Sequence, residues 1–334
     1  MQFIKAQCHQ SDRAQGFQFA PDEIKHKYDF TITTDMFSGS KIDFDNGHLI
    51  CPGYRTLYDH ISKLNMTDKI ITIGGDNSIS AATIAANNEK YLVQQGEYCS
   101  SKLKIIWFDC FPDIETFDTS QTKNLPEMTV SSLLGTIDPS FVYSKLLVRP
   151  SQIMYLGLSD EVDTMMLNDM NIEYYSCNKM KQLGTDLMIE IIKEFIDESP
   201  VHVVLDMKVF DKTICPSVIP VNDNGLTDKH VMPILFNIKN HVCAMDIVEF
   251  NPCIGTMDDV KNSRELAKKC LAETFSIKET SINIYNEHTR FLIYRPIMQT
   301  EPEDYGWYIL TGVPTEYKEL IMKLIDDDTI TTIE

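Results

Sequence analysis

Short apolar runs alternate along this chain with stretches whose apolar residues recur at three- and four-residue steps. The runs at 30–36, 69–73, 103–109, 152–158, 201–206 and 243–250 are rich in Ile, Val, Leu and aromatics, and several end in Gly, Asp or Asn. That pattern predicts strands. The segments between them, near 53–65, 78–92, 129–137, 180–198, 227–240 and 259–276, read as helices. Within 180–198, Met180, Leu183, Leu187, Ile191, Ile192 and Phe195 form one apolar stripe of the kind that faces a core. Alternation of this kind predicts the α/β class, with a mostly parallel β-sheet flanked by helices on both faces. No linker or repeat interrupts it, so a single domain over 1–334 is expected. Its last part, 278–334, breaks the alternation and reads as added elements: extended pieces at 282–295 and 307–311, then an acidic-ended helix near 315–328.

Composition narrows the class. The 334 residues are 43% hydrophobic and 24% charged, with a formal net charge of −19. So much negative charge opposes encounter with nucleic acid or an anionic membrane. No apolar run approaches the roughly 18 residues a membrane helix needs. The opening Met1-Gln2-Phe3-Ile4-Lys5-Ala6-Gln7 lacks the apolar core of a secretory leader. The nine cysteines are scattered, with no Cys-x-x-Cys pair, as in a reduced protein. An intracellular, cytoplasmic protein is therefore expected. No two of the eight histidines stand at metal-ligand spacing on one helix, and each reads as a surface or internally satisfied group.

Chemistry is concentrated where predicted strands end. Gly74-Gly75-Asp76-Asn77-Ser78, Trp107-Phe108-Asp109-Cys110-Phe111-Pro112-Asp113 and Leu205-Asp206-Met207-Lys208 all fall there, as sites in open α/β sheets do. These segments resemble the ligand motifs of the arginase family of manganese ureohydrolases, GGDHS, W-[IV]-D-A-H-x-D and S-x-D-x-D-x-x-D-P. The likeness spans roughly 69–277 and includes further segments. Asp113-Ile114-Glu115-Thr116 resembles D-I-N-T, Leu125-Pro126-Glu127-Met128 resembles L-H-G-M, Gly157-Leu158-Ser159-Asp160-Glu161-Val162 resembles G-L-R-D-V-D, and Asp246-Ile247-Val248-Glu249-Phe250-Asn251-Pro252 resembles D-I-x-E-V-N-P. The sequence is also similar to the metal-deficient arginase-like proteins of trypanosomatids.

The resemblance implies an arginase fold, and the departures from it imply altered chemistry. Asp109, Asp113 and Asp206 keep carboxylates at metal-ligand positions, whereas Asn77 and Phe111 stand where the family has histidines and Lys208 where it has an aspartate. Phenylalanine offers no lone pair, and an ammonium is donor-only and positive. A binuclear manganese cluster is therefore expected to be absent. A weak single ion on Asp109, Asp113 and Asp206, with the Asn77 amide oxygen, would be a hard all-oxygen set suited to Mg²⁺ or Ca²⁺. Lys208 is expected to act instead as a built-in cation among the carboxylates; the alternative turns it outward while a carboxylate takes a proton.

On the substrate side, Glu115 replaces an asparagine that helps hold the substrate carboxylate, Pro126 a proton-shuttling histidine, and Val162 an aspartate that reads the substrate amine. Glu249 is retained and still suits a small cation. Cys110, beside Asp109, reads as a buried structural thiol rather than a nucleophile. No catalytic residue is assigned. The expectation is a pseudoenzyme that acts by binding or regulation, through a cationic ligand or a protein partner. The alternative is a single-metal hydrolase of a C–N bond in a guanidino or amide substrate. Family resemblance also implies a homo-oligomer, a trimer.

Overall fold

A computed structural model describes residues 1–6, 16–24, 32–34, 43–45, 48–50, 52–95, 98–137, 144 and 146–277. These lie within one compact unit, Met1–Lys278. The elements expected in 278–334 lie outside the described residues.

Eight strands build one sheet: β1 Gln2–Ala6, β2 Ile32–Thr34, β3 Ile70–Gly74, β4 Lys104–Phe108, β5 Ile153–Leu158, β6 Glu173–Ser176, β7 Val201–Asp206 and β8 Val242–Val248. Their order is β6-β5-β4-β7-β8-β3-β1-β2, and every neighbouring pair is parallel. Parallel strands need covering on both faces. Successive strand residues supply two cores, because their side chains alternate. Ile71, Ile73, Ile106, Phe108, Val203, Leu205, Met245 and Ile247 enter one core; Ile70, Ile105, Trp107, Val204, Ala244 and Val248 enter the other.

The first core is closed by α1 Ala20–Ile24, α6 Cys177–Leu183, α7 Thr185–Ile196, α8 Asp228–Ile238 and α9 Met257–Phe275. The second is closed by α2 Pro52–Lys63, α3 Ile79–Lys90, α4 Thr129–Leu134 and α5 Met165–Asp169. Helix α3 is buried from Ile79 to Asn88, and its alanines 81, 82, 85 and 86 let it lie close on the sheet. At the start of α9, Thr256 and Asp259 cap each other's backbone N–H groups, at 3.3 and 2.8 Å. Among the described residues, no helix is long and apolar enough to cross a membrane.

Three expectations need correction. The helix expected over 180–198 is two, broken at Gly184 (φ +78°), a backbone conformation that glycine adopts without strain. Strands β1 and β6 were not expected. The first carries Gln2 and Lys5 among its apolar residues, and the second is a half-exposed edge with little apolar content. Strand β8 ends at Val248, two residues before the expected boundary, because Glu249 turns the chain at φ +65°.

Candidate functional site

Four adjacent strands at the centre of the sheet, β4, β7, β8 and β3, bring their carboxyl ends together. Asn77 follows β3, Asp109 to Asp113 follow β4, Asp206 ends β7 with Lys208 just beyond it, and Glu249 follows β8. Backbone bonds fix this arrangement: Glu249 N donates to Gly75 O at 2.8 Å, and Val130 N to Asp113 O at 3.0 Å. Asp113 (φ +45°) and Glu249 (φ +65°) are both left-handed, a conformation that costs about 1–3 kcal/mol per residue and gathers at functional sites. Gly157 lets β5 pass the Lys208–Val209 turn, since a Cβ there would collide with the Val209 side chain.

The carboxylates are close and dry. One oxygen from each of Asp109, Asp113 and Asp206 lies within 4.8 Å of the others, and the residues are 0%, 6% and 0% exposed. At that separation, like charges repel by about 3 kcal/mol per pair for an effective dielectric near 20. Asp109 is held by neutral donors: Phe111 N at 3.0 Å, Trp107 Nε1 at 3.3 Å and Asn77 Nδ2 at 3.4 Å. The Asn77 amide nitrogen also donates to Asp113. The amide therefore turns its donor toward the carboxylates, while its oxygen has no hydrogen-bond partner among the described residues. Asp206 Oδ1 accepts from Lys208 N at 2.8 Å, orienting the short turn that carries Lys208.

Lys208 turns inward, with its side chain 8% exposed. Its Nζ stands 3.3 Å from Asp206 Oδ2 and 3.6 Å from Glu249 Oε2, and 5.7 Å from the centre of the Phe111 ring. The approach to Asp206 is close but off the line of a hydrogen bond, which leaves Oδ2 without a formal donor among the described residues; it is a charge contact. The other Glu249 oxygen accepts from Asn77 N at 2.9 Å. Burial alone would lower the lysine pKa, but Asp206, Glu249, Asp109 and Asp113 outweigh it and hold the ammonium well above its usual range. Burial, with Asp109 next, pushes Asp113 and Asp206 well above the usual carboxylate range, against the pull of Lys208. Burial raises Glu249 to about 7.

A pH dependence follows. Carboxylates with raised folded pKa values bind protons more tightly in the folded chain, so stability falls as pH rises from the unfolded to the folded value. For Glu249 that window is 4.5 to about 7, and the shift corresponds to roughly 3 kcal/mol. Urea unfolding is expected to show greater stability near pH 5 than at pH 7.5, and Glu249→Gln should flatten the slope. A rise in stability across that interval in the unsubstituted chain would contradict the assignment.

Above the cluster lies a cleft of about 340 Å³, lined in part by Phe111, Asp113, Glu115, Pro126, Lys208 and Glu249. Glu115 is half-buried and accepts from the Thr119 hydroxyl, and Pro126 forms part of the wall. Val162 is half-buried against the second core and is not part of this lining. Cys110 is buried, and burial together with Asp109 pushes its thiol up, against thiolate chemistry.

The sequence reading missed a polar seam beneath the site. His202 Nε2 lies 3.1 Å from Asp246 Oδ2, Asn87 Nδ2 is 3.2 Å from His202 Nδ1, and Thr83 Oγ1 donates to Asp246 at 2.5 Å, all of them buried. Position 202 in a strand and 246 in its neighbour carried the only signal, since paired polar residues in two apolar strands imply mutual contact.

A doubly covered parallel sheet with acidic groups gathered at its central carboxyl ends defines an open α/β protein with a polar site at the strand ends. The arginase family model matches residues 2–276, and the chain belongs to that family. Arginase from Glaciozyma antarctica is 28% identical over 235 residues, 65% of each chain. Human mitochondrial arginase-2 is 28% identical over 219 residues, 61% of this chain and 59% of that protein. The matched part thus spans less than two thirds of these relatives. Among solved structures, arginase from Bacillus caldovelox aligns with a TM-score of 0.70 at 17% identity, covering 83% of this chain and 97% of that one. Entamoeba histolytica arginase, solved with L-ornithine, gives 0.69 at 20% identity over 83% and 97%. At that identity the likeness carries the fold.

Proposed function

We propose that this chain is a non-catalytic member of the arginase family that works by binding a ligand or partner rather than by hydrolysis. The observation that carries the reading is the Lys208 ammonium, buried 3.3 Å from Asp206 and 3.6 Å from Glu249 among the carboxylates that would otherwise hold metal. Manganese fits these residues poorly. Phe111 supplies no donor atom, Asn77 presents N–H groups to Asp109 and Asp113, and Lys208 already neutralises part of the cluster. Pro126, where the resembled motif has a histidine, points the same way, because proline cannot carry a proton. Assembly as a homo-oligomer, a trimer, and residence in the cytoplasm belong to the same reading.

A second reading has one observation in its favour: the Asp109, Asp113 and Asp206 oxygens are within 4.8 Å of one another, close enough to share one ion. It would make the chain a single-metal hydrolase of C–N bonds. Elemental analysis after dialysis against excess Mn²⁺ or Mg²⁺, beside an active arginase, separates the two. The expected result is no retained metal. Retention of about one ion per chain on the oxygen set, with metal-dependent hydrolysis of a guanidino or amide substrate, would replace the first reading with the second.

A further inference from the structure

The charges in the cleft are ordered from floor to mouth. At the floor, Asp113, Lys208 and Glu249 are 3–6% exposed. Both Glu249 oxygens are engaged there, one by Asn77 N and one by the ammonium. Asp113 Oδ2 accepts from Asn77. The Lys208 ammonium makes only charge contacts, so none of its N–H groups is in a hydrogen bond with a described residue.

The mouth is acidic. Glu115 and Glu127, both half-buried, are drawn together by Glu115 N donating to Glu127 O at 2.9 Å. Hydroxyl donors set their carboxylates: Thr119 on Glu115, with Ser120 at 3.0 Å and Thr122 at 2.5 Å on Glu127. Phe17, Phe111, Pro126 and Ile219 provide apolar wall.

We propose that this cleft takes a ligand of opposite polarity to a guanidino amino acid: an ammonium held at the mouth by Glu115 and Glu127, a short apolar chain, and an uncharged amide or hydroxyl oxygen accepting from Lys208 at the floor. The inference rests on the reading of Lys208 as the resident cation. A guanidino amino acid meets like charge at both ends. Its guanidinium approaches the ammonium, and its carboxylate approaches two carboxylates. The inverted ligand meets opposite charge at the mouth, and at the floor it supplies a hydrogen-bond acceptor that no described residue gives the ammonium beyond its charge contacts. An oxygen there forms a charge-assisted hydrogen bond without displacing the lysine from Asp206 and Glu249. A charge placed at the half-exposed mouth also avoids the desolvation that a buried charge would suffer.

The test is calorimetric titration of the full chain, with its metal content measured on the same sample. The probe is 5-aminopentanamide; L-arginine and pentanamide are the comparisons. The amino-amide is expected to bind about tenfold or more tightly than either, and Glu115→Gln or Glu127→Gln should each weaken it by about tenfold. Added salt should weaken it too, since the mouth contact is partly solvated. Tighter binding of L-arginine, or an affinity unchanged in the Glu115→Gln/Glu127→Gln double variant, would overturn the inference. Retained metal with arginine binding would remove the underlying reading as well. A metal-free chain that ignores the amino-amide would remove the inference alone.

Discussion

Replacing Lys208 with methionine is expected to destabilise the chain by about 3–5 kcal/mol at pH 8, the range found when one partner of a buried ion pair is removed. For a domain of this size, that is a fall in Tm on the order of 10 °C. Methionine keeps most of the side-chain volume, so cavity formation contributes little. What disappears is the one positive charge that, among the described residues, lies within 4 Å of Asp206 and Glu249. The loss should shrink toward pH 5, because Asp113, Asp206 and Glu249 already have raised pKa values and escape repulsion by taking protons. The lysine has its own linkage. Its folded pKa lies well above 10.5, so its contribution is complete below 10.5 and declines as pH rises beyond that toward the folded value. Thermal unfolding of Lys208→Met and the unsubstituted chain across pH 5 to 9 measures the effect. Equal stability at pH 8 would mean that the carboxylates are neutralised by protons and that the ammonium is dispensable.

The fold was legible because a parallel sheet writes itself as apolar runs, and both of its faces need helices. Strands β3, β4, β5 and β7 fall within a residue of the expected boundaries. The elements missed are those whose stability comes from neighbours rather than from their own composition. Strand β1 has only Phe3, Ile4 and Ala6 to show, yet it is sandwiched between β2 and β3. The break at Gly184 was hidden for the opposite reason: the apolar period runs straight through it, and a single glycine is a weak stop signal inside a strong stripe.

At the site, position was legible and orientation was not. Carboxyl ends of adjacent central strands converge by topology, so Asn77, Asp109, Asp113, Asp206 and Glu249 had to meet once the sheet order was known. Two orientations depended on packing. Val162 lies against the second core, away from the lining of the cleft. The Asn77 amide presents its nitrogen to Asp113, whereas the all-oxygen set needed its carbonyl. An amide turns to meet its neighbours, and the Asp109 and Asp113 oxygens beside it accept from its nitrogen. The partnership of His202 with Asp246 was likewise invisible, since it joins residues 44 positions apart across two strands.

Replacing three side chains together, Asn77→His, Phe111→His and Lys208→Asp, is expected to produce stoichiometric manganese binding, against the none expected for the unsubstituted chain. The expectation is specific about order. Lys208→Asp alone should be less stable in chelator than Lys208→Met, because it adds a further carboxylate to a cluster whose members already approach within 4.8 Å. It should gain little from manganese, because Phe111 still offers no lone pair and Asn77 still aims N–H groups at Asp109 and Asp113. The two histidines supply neutral imidazole donors suited to a first-row divalent ion. With them in place, manganese at a thousandfold excess over Kd should add about 4 kcal/mol of stability, read as a Tm rise on the order of 10 °C over the chelated sample. If the triple variant neither binds manganese nor responds to it, the three substitutions are not what excludes metal. The cause would then lie in the backbone that carries Asp109 and Asp113, where the left-handed turn at Asp113 sets the direction of the carboxylate. If the variant does respond, the same three positions that keep metal out of the native chain are the ones that set the charge at the floor of its cleft.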